Sequence, residues 1–278
     1  MSETELQMQR AAALRSNQRC YDALVDARAP LCRPASDAEI ADPLRTVDPL
    51  GWLGPSIEGR SVLCLAAGGG RQSVLYASAG ANVTVVDISP AMLELDRAAA
   101  RERRLPIRAI QGSMDELDML SADQFDIVIH PVSTCYLPDV APVFRAVARV
   151  LRPAGLYISQ HKSPTSLQAS CTADRESRYV VEHPYYRTRP VPPPTAGSVA
   201  QRIREPHATE YLHRWEQLIG GICRAGMQIE DFIEPDHADN EAVAGTFGHR
   251  AMFIAPYVRI KARKRLTHTT RPGILLTP

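Results

Sequence analysis

The chain has 278 residues, of which 45% are hydrophobic and 23% charged, and its formal net charge is +1. This composition is typical of a folded globular protein and excludes a chain that is disordered throughout. The near-zero charge also excludes a global positive field for nucleic acid, so a nucleic-acid partner would need a local basic patch and is not expected.

The cysteines and the apolar runs indicate the compartment. The six cysteines are scattered without the spacing of a zinc site, and we interpret them as reduced thiols. The N-terminal residues are charged and lack the apolar stretch of a signal peptide, and no later apolar run approaches the ~20 residues that span a bilayer. We therefore expect a cytoplasmic protein with no membrane partner and no metal site.

The predicted elements begin with a helix within residues 5–27, in a segment 1–57 that forms a helical cover and an irregular connector. Strand and helix patterns then alternate through a core at 58–161. The predicted strands are 61–66, 83–87, 107–111, 125–130 and 155–160, and the predicted helices are 72–79, 90–103 and 140–151. Such alternation predicts βαβ units, and hence a parallel sheet with helices on both faces.

The composition of the chain changes in its second half. Residues 162–208 are rich in proline and are interpreted as an insertion or substrate lid. A helix and two strands are predicted within 209–258, where they would complete the sheet. Residues 259–278 are interpreted as a basic tail, and no aromatic stacking motif accompanies its charges to indicate RNA binding.

A glycine-rich turn after the first predicted strand points to a ligand. Gly68 to Gly70 would let the backbone approach a ligand closely and would open a helix whose amides face it. Asp87, at the end of the second strand, can accept hydrogen bonds from both hydroxyls of a ribose. Together they indicate an adenosine-containing cofactor. The dinucleotide fingerprint requires a third glycine where Ser73 stands, so a nicotinamide-dependent oxidoreductase is the less favoured alternative.

Five motifs in order carry a family resemblance: VLCLAAGGGRQS, VTVVDISPAML, IQGSMDEL, FDIVIHPVS and VARVLRPAGLYIS. Together they resemble the class I S-adenosylmethionine-dependent methyltransferases, closely over residues 58–160. The resemblance implies an α/β fold with a Rossmann-like, seven-stranded and mostly parallel sheet, helices on both faces and an antiparallel last strand. It also implies S-adenosylmethionine as cofactor and S-adenosylhomocysteine as product.

The resemblance also implies which residues contact the cofactor. Ala66, Gly68 and Gly70 would line its methionine part, and Asp87 would hold the ribose. The other implied contacts are Ile88, Met92, Ser113 and Met114 near the adenine, Tyr21 of a Tyr-Asp pair in the N-terminal helix, and His130.

Two positions depart from the family pattern. Ser113 stands where the family often has an acid for the adenine amino group. Cys64 stands where an acid of the first strand commonly supports the cofactor loop, and a thiol cannot make that charged contact. We therefore expect the loop amides, or the N-terminal helix, to hold the ammonium group of the cofactor.

The loop after the fourth strand bears on the acceptor. It reads HPVS, whereas methyltransferases of nucleic-acid bases and glutamine amides typically show Asn/Asp-Pro-Pro-Tyr/Phe. A small-molecule acceptor is therefore favoured, with oxygen slightly preferred over nitrogen or carbon. A hydroxyl acceptor needs a base, and the candidate catalytic residues are His130, His161 and Tyr136. The alternatives are a protein or RNA methyltransferase and a non-catalytic S-adenosylmethionine-binding protein, and a homodimer stays open.

Overall fold

The computed structural model describes residues 2–193, 203–205 and 207–266. Its strands are β1 (Ser61–Leu65), β2 (Asn82–Asp87), β3 (Ile107–Gln111), β4 (Phe125–His130), β5 (Leu151–Lys162), β6 (Met227–Ile233) and β7 (Tyr257–Lys264). They form one sheet in the order β3-β2-β1-β4-β5-β7-β6. The first five strands pair in parallel, and β7 pairs antiparallel with both β5 and β6. The predicted Rossmann-like sheet with an antiparallel last strand is confirmed.

The α-helices either precede β1 or connect the strands. They are α1 (Glu3–Asp26), α2 (Asp37–Ala41), α3 (Pro43–Val47), α4 (Gln72–Ser78), α5 (Pro90–Arg103), α6 (Ala141–Val150), α7 (Pro164–Gln168), α8 (Trp215–Arg224) and α9 (Phe247–Ala251). Local signals in the sequence set the bounds of α5. The Ser89 hydroxyl accepts a hydrogen bond from the Met92 amide, Pro90 occupies the first turn, and Arg104 ends the helix in a left-handed conformation.

The core lies on both faces of the sheet because side chains alternate along each strand. On one face, Leu63 and Leu65 of β1 pack in a cluster that includes Phe144 of α6. On the other face, Val62 of β1 packs in a cluster that includes Tyr76 of α4. β1 is thus buried on both sides, as expected of a central parallel strand.

The start of α8 and the end of the last strand differ from the sequence prediction. Residues 210–213 are not helical: Glu210 forms an isolated β-bridge with Val191, and the Tyr211 amide donates to the Cys135 carbonyl at 2.6 Å, so α8 begins only at Trp215. β7 continues to Lys264, so it runs six residues past the predicted boundary at 258 between the sheet and the basic tail. Its alternate residues Val258, Ile260 and Ala262 are fully buried.

The basic residues of the predicted tail therefore belong in part to β7. Lys261 and Arg263 both form ion pairs with Glu230 of β6, and Lys264 pairs with Asp123. These partners neutralise much of the positive charge, which favours a solvated strand face over a nucleic-acid surface. Residues 267–278 of the tail, and residues 194–202 and 206 of the insertion, lie outside the described residues. Within the described part of the chain, no helix has the length and apolar character to span a membrane.

Candidate cofactor and active site

A cavity of about 530 Å³ lies at the carboxyl ends of the parallel strands, where open α/β sheets bind ligands. Its volume is within the roughly 300–1,000 Å³ of small-molecule sites. Nine of the residues predicted from the sequence line it: Tyr21, Ala66, Gly68, Asp87, Ile88, Met92, Ser113, Met114 and Tyr136. Three others, Gly70, His130 and His161, lie outside this lining.

The glycine loop lies directly against the Asp87 carboxylate. Gly68 N–H donates to Oδ2 of Asp87 at 2.9 Å, and Ser89 N–H donates to its Oδ1 at 2.9 Å. A Cβ added to Gly68 would lie 2.8 Å from Met92 Cβ and 3.1 Å from Oδ2 of Asp87, so only glycine leaves room for this approach. The backbone and the carboxylate together form a cradle that fits the ribose and methionine parts of S-adenosylmethionine. Burial raises the pKa of Asp87, whereas the two amides act in the opposite direction.

The rest of the glycine loop bonds to Asp96 of α5, a residue that the sequence prediction missed. Gly69 N–H donates to Oδ2 of Asp96 at 3.0 Å and Gly70 N–H to its Oδ1 at 3.1 Å, and the Ser73 hydroxyl donates to Oδ1 as well. Gly70 does not line the cavity; it has a φ of +75°, and a Cβ added there would lie 2.9 Å from the Leu95 carbonyl oxygen. Asp96 shares the buried face of α5 with Met92, Leu93, Ala99 and Ala100. A carboxylate on that apolar face was the signal that could have identified it.

Polar contacts hold α1 across this edge of the sheet. The Ser89 hydroxyl donates to Oδ1 of Asp22 at 2.6 Å, and the Tyr21 hydroxyl donates to the Tyr136 hydroxyl at 2.9 Å. Further along α1, Asn17 donates to the main-chain carbonyl of Tyr136 at 3.1 Å. Asn17 and Tyr21 of α1 therefore line the cavity, and the role of the Tyr-Asp pair over a bound cofactor stays a prediction.

The loop after β3 also connects to α1. The Ser113 hydroxyl donates to Oδ1 of Asp115, and Arg10 of α1 binds the same carboxylate at 2.5 and 2.9 Å. The acidic residue of this loop is therefore Asp115, two residues after Ser113, and its carboxylate is already bonded to protein side chains. Ser113 itself lines the cavity, where its hydroxyl oxygen retains the capacity to accept a hydrogen bond.

Comparisons with known proteins agree with this geometry. A family model described as a methyltransferase domain matches residues 63–159. The uncharacterized methyltransferase YbaJ of Bacillus subtilis (strain 168) is 35% identical over 194 residues, which cover 69% of this chain and 74% of that protein. The chain belongs to the class I S-adenosylmethionine-dependent methyltransferases.

Two further proteins resemble this methyltransferase more distantly. The ubiquinone biosynthesis O-methyltransferase of Bordetella avium (strain 197N) is 32% identical over 131 residues, 45% of this chain and 54% of that protein. The solved structure of an S-adenosylmethionine-dependent methyltransferase from Mesorhizobium loti aligns with a TM-score of 0.61 at 21% identity. That alignment covers 81% of this chain and 99% of the other, and it shows a shared fold.

A hydrogen-bonded chain of ionisable groups lies on the wall of the methyltransferase cavity. Tyr136 donates its hydroxyl to Oε2 of Glu205 at 2.6 Å, and Lys162 donates to the same oxygen at 3.0 Å. Lys162 also binds Glu210, a carboxylate with no exposed surface. Burial alone would raise the pKa of Glu205, but the charge of Lys162 and the hydrogen bonds from Tyr136 and Lys162 together outweigh burial and lower that pKa, so Glu205 is ionised at neutral pH. Glu205 was missed because it lies in the proline-rich insertion, which has no readable periodicity.

His130, predicted as a catalytic and cofactor-binding residue, faces a second and smaller cavity of about 190 Å³. Its side chain is buried, and both ring nitrogens have partners. Nδ1 lies 2.8 Å from the Tyr157 hydroxyl and Nε2 lies 2.7 Å from the Ser133 hydroxyl. Burial lowers the pKa of His130 to about 3, so the ring is neutral at physiological pH.

His161, the other histidine predicted as catalytic, is buried beside the turn that follows β4. Its Nδ1 lies 2.8 Å from the Thr134 hydroxyl and its Nε2 lies 2.8 Å from the Ser159 hydroxyl. His213 donates from Nε2 to the carbonyls of Thr134 and Leu137, each at 3.0 Å. Burial lowers the pKa of both histidines. Buried neutral imidazoles therefore anchor the turn that carries Tyr136 into the cavity.

Proposed function

We propose that this methyltransferase transfers a methyl group to a hydroxyl group of a small molecule. The observation that carries the proposal is the chain of hydrogen bonds from Tyr21 through Tyr136 to Glu205 on the wall of the main cavity. An ionised carboxylate accepts but does not donate hydrogen bonds, so it suits an acceptor hydroxyl. The HPVS sequence after β4 and the resemblance to ubiquinone biosynthesis O-methyltransferases support the same class of acceptor.

The residues around the cavity are proposed to hold S-adenosylmethionine, which supplies a methyl group on a positively charged sulfur when bound. Asp87 accepts from the ribose hydroxyls, and the backbone of Ala66 and Gly68 follows the methionine part. The residues that would surround the adenine are apolar or small and polar, namely Ile88, Met92, Ser113 and Met114. Tyr21 closes the site from α1 and excludes water.

We further propose that Tyr136 and Glu205 perform the proton chemistry and that His130 and His161 position them. Glu205 receives the proton of the acceptor hydroxyl at a carboxylate oxygen, and Tyr136 orients that carboxylate through its hydroxyl. Both nitrogens of each histidine have partners within the described part of the chain, which favours a supporting role for them. A cytoplasmic location stays a prediction.

The first test is calorimetric titration of the purified protein, followed by a screen of acceptors. We expect micromolar binding of S-adenosylmethionine and S-adenosylhomocysteine and no binding of NAD. Transfer of a labelled methyl group is expected to small hydroxylated compounds, whereas matched compounds with an amine in place of the hydroxyl are expected to stay unlabelled. Labelling of the amines alone would contradict oxygen as the acceptor atom. Cofactor binding without transfer to any acceptor, cell extract included, would favour a non-catalytic binding protein.

The second test is the variant Glu205→Gln, which keeps the shape of the side chain and removes its basic oxygen. We expect turnover of a hydroxylated acceptor to fall roughly 10²- to 10⁴-fold, the usual range for loss of a general base. The affinity for S-adenosylhomocysteine is expected to change little. The matched control is Glu182→Gln, an exposed carboxylate of the same insertion, and it should retain turnover. Equal turnover in the two variants would remove Glu205 from the mechanism.

A further inference from the structure

Two buried carboxylates accept hydrogen bonds from three consecutive amides of the glycine loop. Asp87 accepts from Gly68, and Asp96 accepts from Gly69 and Gly70. Asp96 of α5 has no exposed surface, and its carboxylate lies against the start of α4, where the Ser73 hydroxyl is its third donor. None of these groups carries a positive charge, so Asp96 is held by hydrogen bonds alone.

This arrangement changes what the loop can bind. Free amides at the start of a helix attract anions, and dinucleotide-binding folds use such amides for a pyrophosphate. Here the Gly69 and Gly70 amides already donate to the Asp96 carboxylate, and that carboxylate adds a negative charge on the side of the loop away from the cavity. An anionic ligand would meet repulsion and few free donors, whereas a cationic ligand would be attracted.

Asp96 also lies close to Cys64 of β1. Burial is the main cause of the raised pKa of the Cys64 thiol, and the charge of Asp96 raises it further. The resemblance led us to expect an acid at residue 64 to support the cofactor loop. In the structure the carboxylate near residue 64 is that of Asp96, so it comes from α5 instead of from β1.

We propose that Asp96 is a positioning residue that fixes the glycine loop and makes the site selective for a cationic cofactor. The Asp96 carboxylate holds Gly69 and Gly70 inwards, which leaves the Ala66 and Gly68 backbone to face the cofactor. The groups that face it are the Gly69 and Gly70 amides of the loop, Ser73 of α4, Cys64 of β1 and Asp87 of β2. The role concerns the cofactor and is independent of which acceptor is methylated.

Calorimetry on Asp96→Asn with two ligands tests the proposal. S-adenosylmethionine and S-adenosylhomocysteine differ in the positive charge on sulfur, so loss of a nearby negative charge should affect them unequally. We expect the affinity for S-adenosylmethionine to fall at least tenfold and that for S-adenosylhomocysteine to fall less. The matched control is Asp48→Asn, because Asp48 also accepts from two consecutive amides, those of Trp52 and Leu53. The control should bind both ligands as the wild type does.

A rescue variant separates the role of the charge from that of the fold. In the double variant Cys64→Asp/Asp96→Ala a carboxylate returns from β1, and we expect it to recover most of the affinity that Asp96→Ala loses. Should Asp96→Asn fail to fold, Ser73→Ala keeps the carboxylate and removes one donor, with an expected loss of several-fold for S-adenosylmethionine. Unchanged affinities in the folded variants, or equal losses for the two ligands, would overturn the proposal.

Discussion

Replacing Asp87 by alanine is expected to weaken the binding of S-adenosylmethionine by about 1–3 kcal/mol, roughly a 5- to 150-fold rise in Kd. The carboxylate stands at the end of β2 and lines the cavity, where it can accept charge-assisted hydrogen bonds from the ribose. Its removal also leaves the Gly68 and Ser89 amides without their acceptor. Calorimetric titration with S-adenosylmethionine measures the first effect, and chemical denaturation measures the second.

Asp126→Ala is the matched control for this experiment. Asp126 likewise accepts a hydrogen bond from a backbone amide, that of Ser61 at 2.8 Å, and it pairs with Arg152. It lies near the start of β4, at the amino ends of the parallel strands, whereas the cavity lies at their carboxyl ends. The control is expected to lose stability but to bind the cofactor normally. If the two variants showed the same affinity, Asp87 would have no direct part in binding.

Acidification is expected to destabilise the fold through its buried histidines. The pKa of His130 falls from 6.5 to about 3 on folding because the ring is buried. Between these two pH values the unfolded chain binds a proton on His130 and the folded chain does not. The stability linked to His130 is complete above pH 6.5 and is lost as the pH falls from 6.5 towards 3. At pH 4.5 the loss is about 2–3 kcal/mol for this residue. The pKa of His161 is shifted in the same direction.

Urea denaturation at pH 7 and pH 4.5 measures this dependence. His130→Gln is expected to be less stable than the wild type at pH 7 but to lose less free energy of unfolding on acidification. The exposed His207→Gln should follow the wild type. Burial raises the pKa of Asp96 to about 6, which acts in the opposite direction, so the comparison is between variants and not between absolute stabilities. An identical pH slope in His130→Gln would contradict the buried neutral ring.

Local signals explain which elements the sequence could predict. The bounds of α5, β3 and β4 agree with the prediction to the residue, since each is marked by a cap or by a short apolar run between polar residues. The order of motifs along the chain was sufficient for the family and the fold. The non-helical run at 210–213 was missed because its pairing partners, Val191 and the Cys135 carbonyl, are remote in sequence.

The missed parts of the site depend on tertiary contacts. Asp96 reaches Gly70 across 26 residues, and Tyr136 meets Glu205 across 69. The side chain of a histidine at the end of a parallel strand can lie on either face of the sheet, and the sequence does not determine which cavity it then lines. His130 faces the smaller cavity for this reason, although its position at the end of β4 was predicted correctly.

The attachment of α1 has a consequence for how the protein is made. Its side chains bond across 105 residues to Asp115, 115 to Tyr136 and 192 to Thr209, so this helix meets its most distant partner only after 192 further residues have been synthesised. Contacts of such long sequence separation form late and slowly. We expect the sheet and its glycine loop to assemble first on the ribosome, with α1 docking as a final step. A nascent chain that ends before Thr209 would then carry an open cofactor cleft.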